Sequence, residues 1–483
     1  MPRLKILFVA SECVPFAKTG GLADVVGALP IALAERGHDV RVVLPRYRVT
    51  RKHGGERLPE PLAVPLGAGQ AWCSVWEARF PRSDARVYLL EHDALYDREG
   101  IYGGPDGAYG DNLARYALLS RGALSLCRAL DFTPDVIHAH DWQTALLPVY
   151  LNTIEAGTPL ARAATVLTLH NMGYQGWFGK EELWQTQLGW DVFHPRGLES
   201  HDRLNLLKGG IYHATLVTTV SPRYAREIQT EEGGEGLDGA LRERGGDLIG
   251  ILNGIDDELW SPASDPHLAA PYTAEDLEGK GLCKAALQAE VGLPAQPDVP
   301  LLGLVSRLAH QKGIDVFAGA LTDILSLGAQ IVVLGSGERW AEDLFRRLSI
   351  SHPRFRAYIG MNEALAHRIE AGSDIFVMPS RYEPCGLNQL YSQRYGALPV
   401  VRAVGGLDDT VEDDRTGFKF KALDPQELAQ AVAVAVYTYH ERPEHFRMMQ
   451  YHSMQKPMGW SHASQQYEAL YRLATARRRG IRE

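Results

Sequence analysis

The sequence predicts an α/β fold in which parallel strands alternate with helices, and it predicts that pattern twice. Three observations carry the reading. Short apolar runs such as Leu4–Ala10, Ala164–Leu169 and Leu301–Val305 are continuous rather than alternating, as strands buried on both faces of a parallel sheet must be. Segments with helical spacing, such as Leu22–Arg36 and Leu113–Ala129, lie between such runs. The series then starts afresh near residue 300, beyond a turn-rich stretch at Gly250–Asp257.

In chain order, Leu4–Ala10 is the first strand, Lys18-Thr19-Gly20-Gly21 a loop, Leu22–Arg36 a helix stopped by Gly37, and Val40–Leu44 the next strand. A strand-helix-strand unit of this kind connects right-handed. Val136–Ala139, Ala164–Leu169 and Leu216–Val220 continue the strands. Gly100–Asp111 and Glu231–Gly246 read as long loops, which in compact domains are often functional. In the second series Leu301–Val305, Ile331–Leu334, Ile375–Met378 and Pro399–Val401 are strands, and Gly313–Leu327 is a helix. This gives two Rossmann-like domains, residues 1–248 and 249–459. A last helix near His462–Ala476 is free, on this reading, to pack on either half.

Composition narrows the function. With 483 residues, 45% hydrophobic and 23% charged, the chain can build two or three cores. A net charge of −9 disfavours a nucleic-acid binder, which needs a basic footprint, but leaves room for a small anionic substrate held by a few local cations. The run Arg477-Arg478-Arg479 reads as a solvated tail. Five scattered cysteines without a Cys-x-x-Cys pair argue against a disulfide framework or zinc knuckle and fit a reducing cytoplasm. Ile6–Ala10 is too short for a signal-peptide core, and no apolar run is long enough to span a bilayer.

Open parallel sheets bind ligands beyond the carboxyl ends of their strands, so the loops there hold the candidates. Lys18 with Gly20 and Gly21 combines a cation, glycines able to take unusual φ and a helix N-terminus, a combination suited to a phosphate or a sugar hydroxyl, or to nothing beyond an ordinary turn. Arg307 and Lys312 bracket one turn and suit the charge that develops on a departing diphosphate. In His138-Ala139-His140-Asp141-Trp142 the alternating histidines suggest a metal site less well than a structural or sugar-contacting role, with Trp142 as a stacking face. His170 and Asn171 close a strand. Asn253-Gly254 reads alone as a turn. Glu383 precedes Cys385, Gly386, Leu387 and Asn388, setting a carboxylate beside backbone donors. A nucleophilic Cys385 lacks a paired base in the sequence.

Six strings then stand in one order: KTGGLADVVGALP (Lys18–Pro30), HAHDW (His138–Trp142), LHNMGYQG (Leu169–Gly176), ILNGID (Ile251–Asp256), SRLAHQKG (Ser306–Gly313) and SRYEPCGLNQLY (Ser380–Tyr391). With these the chain resembles the bacterial glycogen synthases and plant starch synthases. The resemblance implies a glycosyltransferase-B fold, with two Rossmann-like domains facing across a cleft. It also implies transfer of glucose from ADP-glucose to an α-1,4-glucan with retention, no metal or cofactor requirement, and a C-terminal segment 460–483 returning to the N-terminal domain. Carried onto this chain, it assigns the diphosphate to Arg307, Lys312, Lys18 and the amides of Gly386 and Leu387, with Gly20, Gly21, Cys385 and Asn388 alongside. It gives the donor glucose to Glu383 and His170, the sugar and acceptor side to Asp24, Asp141, Trp142, Asn171 and Asn253, and a stacking role on adenine to Tyr102. The chain departs from the family pattern at Gln455–His462 and Asp413–Thr416. Three alternatives stay open: a UDP- or GDP-sugar transferase of the same fold, a glucan phosphorylase, for which no lysine stands in a convincing pyridoxal-phosphate context, and an inactive glucan-binding protein.

Overall fold

A computed structural model of the chain describes residues 2–81 and 83–480. It divides into two compact units, one formed by Met1–Gly254 with Trp460–Glu483 and the other by Ile255–Gly459.

In the first unit the parallel strands are β1 (Lys5–Val9), β2 (Asp39–Pro45), β3 (Arg86–Glu91), β4 (Val136–His140), β5 (Ala164–Leu169), β6 (Leu216–Thr219) and β7 (Leu248–Gly250). They are ordered β7-β6-β5-β4-β1-β2-β3. In the central pairings Ile6 lies opposite both Val40 and Val136. The chain therefore winds outward from β1 to β3, returns, and winds the other way from β4. The expected strands are all present. What the apolar runs did not reveal is an antiparallel extension, in which Gly69–Arg79 pairs with β3 on one side and with Glu56–Arg57 on the other, while Leu62–Leu66 folds onto it as a hairpin. Strand β7 pairs with β6, so the first unit reaches Gly254 rather than ending at residue 248.

Helix Gly21–Glu35 shows how side chains accommodate a local exception. Pro30 lies inside it and has no N–H for the carbonyl of Val26. The Cys13 thiol lies 3.3 Å from that carbonyl and can donate to it. Glu231–Gly246, expected to be a loop, contains the helix Asp238–Arg244, whose Ala240 and Leu241 are buried. Gly100–Asp111 holds only a two-residue ladder, Gly103–Gly104 with Gly107–Ala108.

The last helix, Trp460–Arg478, covers one face of the first sheet, burying Trp460, Tyr467, Leu470, Tyr471 and Ala474 with Ile6, Phe8, Val166 and Leu216. Each such large side chain contributes about 1.5–3 kcal/mol on burial. The arginine run is not a solvated tail. Arg477 pairs with Asp247, Arg478 donates to the carbonyl of Ala161 and to Asn152, and Arg479 pairs with Asp135 at 2.7 Å. Residues 481–483 lie outside the described residues.

The second unit repeats the winding. Strands β8 (Leu301–Val305), β9 (Gln330–Gly335), β10 (Phe355–Ile359), β11 (Ile375–Met378), β12 (Leu398–Arg402) and β13 (Phe418–Phe420) are all parallel, in the order β10-β9-β8-β11-β12-β13. Apolar layers cover both faces of this sheet. Asp413–Thr416 forms a tight turn closed by Asp414 N–H to Gly417 O, and Gln455 ends a helix begun at Pro443.

Tyr471 donates or accepts a 2.7 Å bond with His138 Nδ1 in the buried face of the first sheet. Tyr471→Phe leaves that nitrogen unpaired, and a buried polar group so stranded costs about 1–3 kcal/mol. Calorimetry should show a lower melting temperature for the first unit. An unaltered transition would mean that the bond contributes nothing to the helix's attachment.

Candidate active site

Each sheet reverses its winding between its first and fourth strands, β1 and β4 in the first unit and β8 and β11 in the second. Adjacent loops leave there in opposite directions and open a crevice at the carboxyl ends.

At the first reversal the loop after β1 carries Glu12, a residue the motif reading passed over. It is 3% exposed, and it organises the whole loop. One carboxylate oxygen accepts the N–H groups of Thr19 and Gly20, and the other accepts Thr19 Oγ1 at 2.7 Å and the Tyr102 hydroxyl at 2.5 Å. The expected free N–H donors of the Lys18–Gly21 loop are thus partly used by the protein itself. Gly20 is also extended, with φ −152°, and a Cβ there would meet nothing within 4 Å, so neither its dihedral nor the packing of the described residues requires glycine. Lys18 is exposed and pairs with Asp24 at 2.7 Å.

A short helix, Asp141–Thr144, follows β4 directly, and its first residue, Asp141, adopts φ +56°, a left-handed conformation that costs a non-glycine residue energy and recurs at functional sites. Its carboxylate accepts the backbone N–H of His170 at 2.7 Å and also that of Asn171, while burial raises its pKa to about 7. The His170 ring bonds through Nε2 to Nδ1 of His140 at 3.0 Å, and burial lowers its pKa to about 3, so the ring is neutral. Asn171 folds its side chain back to the N–H of Gly173. Asn253 is buried with no partner for Oδ1 among the described residues.

One expectation changes here. Trp142 is not an open stacking face. It is 9% exposed and held edge-on to Tyr116 at 5.0 Å, with Gly176 pressed against its ring where any Cβ would stand 2.6 Å away. His138 is structural, with Nδ1 bonded to Tyr471 and Nε2 to Thr168. Tyr102 spends its hydroxyl on Glu12 and Ser11, in the first unit.

At the second reversal, the loops after β8 and β11 interlock. Gly313 has φ +65°, and a Cβ there would lie 1.9 Å from the carbonyl of Pro379. Only glycine allows that approach, and it brings the preceding Lys312 to Glu383, Nζ to Oε2 2.6 Å. Ser380 Oγ donates to the same oxygen at 3.1 Å. Arg307, on the same turn as Lys312, is exposed and touches Gln311 at 3.2 Å. The Glu383–Gly386 turn rests on Gly406, whose N–H donates to the carbonyl of Glu383. Cys385 is buried in that turn, and Asn388 ties it to the carbonyl of Val305 at 2.5 Å. Gly386 and Leu387 are half-buried, so their backbone stands at the surface of the turn. Among the described residues no group of three or more His, Cys, Asp or Glu is placed to hold a metal ion, and no helix is long and apolar enough to cross a membrane.

Residues 5–243 match the starch synthase catalytic domain family, and residues 299–436 match glycosyl transferases group 1. Glycogen synthase 1 of Geobacter metallireducens is 51% identical, over 100% of this chain and 98% of that one. Glycogen synthase of Treponema denticola is 45% identical, over 97% of this chain and 98% of its own length. The chain belongs to the glycogen synthase family. The catalytic domain of starch synthase IV from Arabidopsis thaliana, solved with ADP and acarbose bound, superposes with a TM-score of 0.91 at 34% identity, covering 98% of this chain and 100% of that one. Sucrose-phosphate synthase from Thermosynechococcus elongatus, at 18% identity and a TM-score of 0.60, shares the fold. As a member of the glycogen synthase family the chain is a glucosyltransferase of the glycosyltransferase-B fold.

Within this family member, Glu12 was hidden from motif reading because a lone glutamate after a strand has no pattern. Only its position opposite Thr19, Gly20 and Tyr102 gives it meaning. Glu12→Ala removes both accepting oxygens and strands the N–H groups of Thr19 and Gly20. The amides of Thr19 and Gly20 should then exchange hydrogen on the order of 10–100-fold faster, as expected for losing about 1–3 kcal/mol of local bonding. Equal protection in both proteins would remove Glu12 from this role.

Asp141 makes a pH-dependent contribution of known sign. Its folded pKa of about 7 exceeds the ordinary 3.8, so its contribution to stability is complete below about pH 4 and is lost as pH rises through about 7. The melting temperature of Asp141→Asn, which has no carboxyl to ionise, should therefore gain on the native protein between pH 5 and 8. A constant difference across that range would contradict a raised Asp141 pKa.

Proposed function

We propose that the chain transfers glucose from ADP-glucose to the non-reducing end of an α-1,4-glucan, glycogen or a maltooligosaccharide, with retention at the anomeric carbon, in a reducing cytoplasm. The observation that carries the reading is the second unit's reversal, where Lys312 and Glu383 stand 2.6 Å apart beside an exposed Arg307. A nucleotide-sugar transferase needs both halves of that arrangement. Its leaving group gains negative charge, and its sugar presents hydroxyls that a carboxylate can grip.

On this reading Arg307 and Lys312 stabilise the departing diphosphate, with the amides of Gly386 and Leu387 as further donors and Lys18 as a cation from the first unit. Glu383, Ser380-supported and already bonded to Lys312, holds the glucose hydroxyls. His170 contacts the donor glucose, and Asp24, Asp141, Asn171 and Asn253 belong to the sugar and acceptor side. The reaction breaks the bond between the anomeric carbon and the diphosphate oxygen. The glucan 4-hydroxyl forms the new bond on the same face, and its proton passes to the diphosphate. No covalent enzyme intermediate is needed, so the protein contributes positioning and charge stabilisation. The relatives' names and the ADP bound to starch synthase IV support the donor assignment.

Purified protein with maltooligosaccharide and either ADP-glucose or UDP-glucose should release ADP and lengthen the glucan, with UDP release slower. Lys312→Ala and Glu383→Gln should each lower kcat by about 10²–10³ while both remain folded by calorimetry. Turnover from neither donor would refute the assignment, and near-normal turnover in the folded variants would refute the roles.

A further inference from the structure

His140 is the residue of the HAHDW string that the proposed reaction does not use, yet it is among the most tightly held side chains in the first unit. Its backbone N–H donates to Thr144 Oγ1 at 2.6 Å, the same hydroxyl donates back to its carbonyl at 2.9 Å, and its ring stacks on Phe8 with centroids 5.7 Å apart and planes inclined by 17°. It is fully buried. Its one side-chain bond is Nδ1 to Nε2 of His170, 3.0 Å, and its own Nε2 is buried with no partner among the described residues.

Two neutral imidazoles sharing one hydrogen bond admit only two proton arrangements, because each ring carries one N–H. His140 is fully buried and His170 half-buried, and loss of hydration holds both rings neutral. If His170 donates from Nε2, the proton of His140 must sit on its Nε2, an N–H buried without an acceptor. If His140 donates from Nδ1, its Nε2 is a bare lone pair, and no donor is stranded. Orphaned buried N–H groups are the rarer defect in proteins and cost about 1–3 kcal/mol.

We infer that His140 is a positioning residue that fixes the tautomer of His170: Nδ1–H of His140 donates to Nε2 of His170, and the proton of His170 is thereby kept on Nδ1. The His170 ring then presents an N–H donor, and not a lone pair, at the nitrogen for which the described residues supply no hydrogen-bond partner. Its backbone is fixed at the same time by Asp141. A donor at this position suits an oxygen that gains negative charge, or a sugar hydroxyl acting as acceptor, and it does so without adding a full charge. The tautomer follows from His140 alone. Only its kinetic consequence rests on the contact between His170 and the donor glucose proposed above.

Nitrogen-15 NMR of the full chain labelled at histidine reads the tautomer directly, with the His170 signals among the 17 histidines identified by their loss in His170→Gln. Native protein should show His170 protonated at Nδ1. His140→Phe keeps the ring volume but donates nothing, so the His170 proton should redistribute toward Nε2, and kcat should fall about tenfold, the equivalent of one lost hydrogen bond of about 1.4 kcal/mol. His140→Asn places an amide donor near the former Nδ1 and should restore the Nδ1–H form and most of the turnover. A native His170 protonated at Nε2 overturns the inference, and so does a His170 tautomer that stays unmoved in His140→Phe. A tautomer that shifts while kcat holds upholds the coupling and overturns instead the contact of His170 with the donor.

Discussion

Parallel pairing of the first strand with the fourth, β1 with β4 and β8 with β11, is the constraint from which both half-sites follow. Strands two and three are wound to one side, and strands four onward to the other. The loops that leave strands one and four therefore cannot be covered by the helices that follow them, and they stay open at the carboxyl edge. Glu12, Lys18 and Asp141 in the first unit, and Arg307, Lys312 and Glu383 in the second, follow those two strands, and His170 and Asn171 join the first set from the end of β5.

The two reversals use that opening in different ways. The second keeps its cations at least partly exposed, with Arg307 at the surface and Lys312 against the buried Glu383, as suits groups that must exchange hydration for phosphate oxygens. The first gathers groups whose ordinary charge is suppressed: the buried His138 and His140 and the half-buried His170, all neutral, and a half-buried carboxyl on Asp141 raised to about 7. A departing diphosphate needs strong positive charge. A glucose hydroxyl needs oriented dipoles, and extra full charges beside it would only have to be desolvated.

The sequence revealed the parallel strands because a strand buried on both faces must be apolar throughout, and Ala164–Leu169, Leu301–Val305 and Ile375–Met378 have the limits read from those runs. It concealed the hairpin Leu62–Arg79 because that ribbon is half exposed and includes Pro65 and Gly69, so neither a continuous nor an alternating pattern emerges. The glycine loop was located correctly, but its mechanism was not. What organises it is a buried carboxylate seven residues before Thr19 accepting its N–H groups, a contact that spacing cannot announce. Trp142 failed as a sugar platform for a related reason. Its neighbours Gly176, Tyr116 and Phe178 come from distant segments, and only tertiary packing shows that they enclose it.

The string HAHDW shows how closely adjacent residues can divide their work. Side chains alternate along a strand, so His138 and His140, two apart, share one face of β4, with ring centroids 4.1 Å from each other. His138 looks toward Tyr471 on the returning helix and stabilises the fold, whereas His140, one step nearer the carboxyl edge, looks toward His170 and acts on the site. Asp141 follows where the strand ends and takes a strained dihedral to aim its carboxylate at the backbone of the same histidine. Strain of that kind persists only where surrounding contacts over-determine it. Here they do, because the two bonds that Asp141 and His140 make to His170 leave that residue neither a free backbone orientation nor a free ring. The His170 segment is therefore held twice, by Asp141 at its backbone and by His140 at its ring.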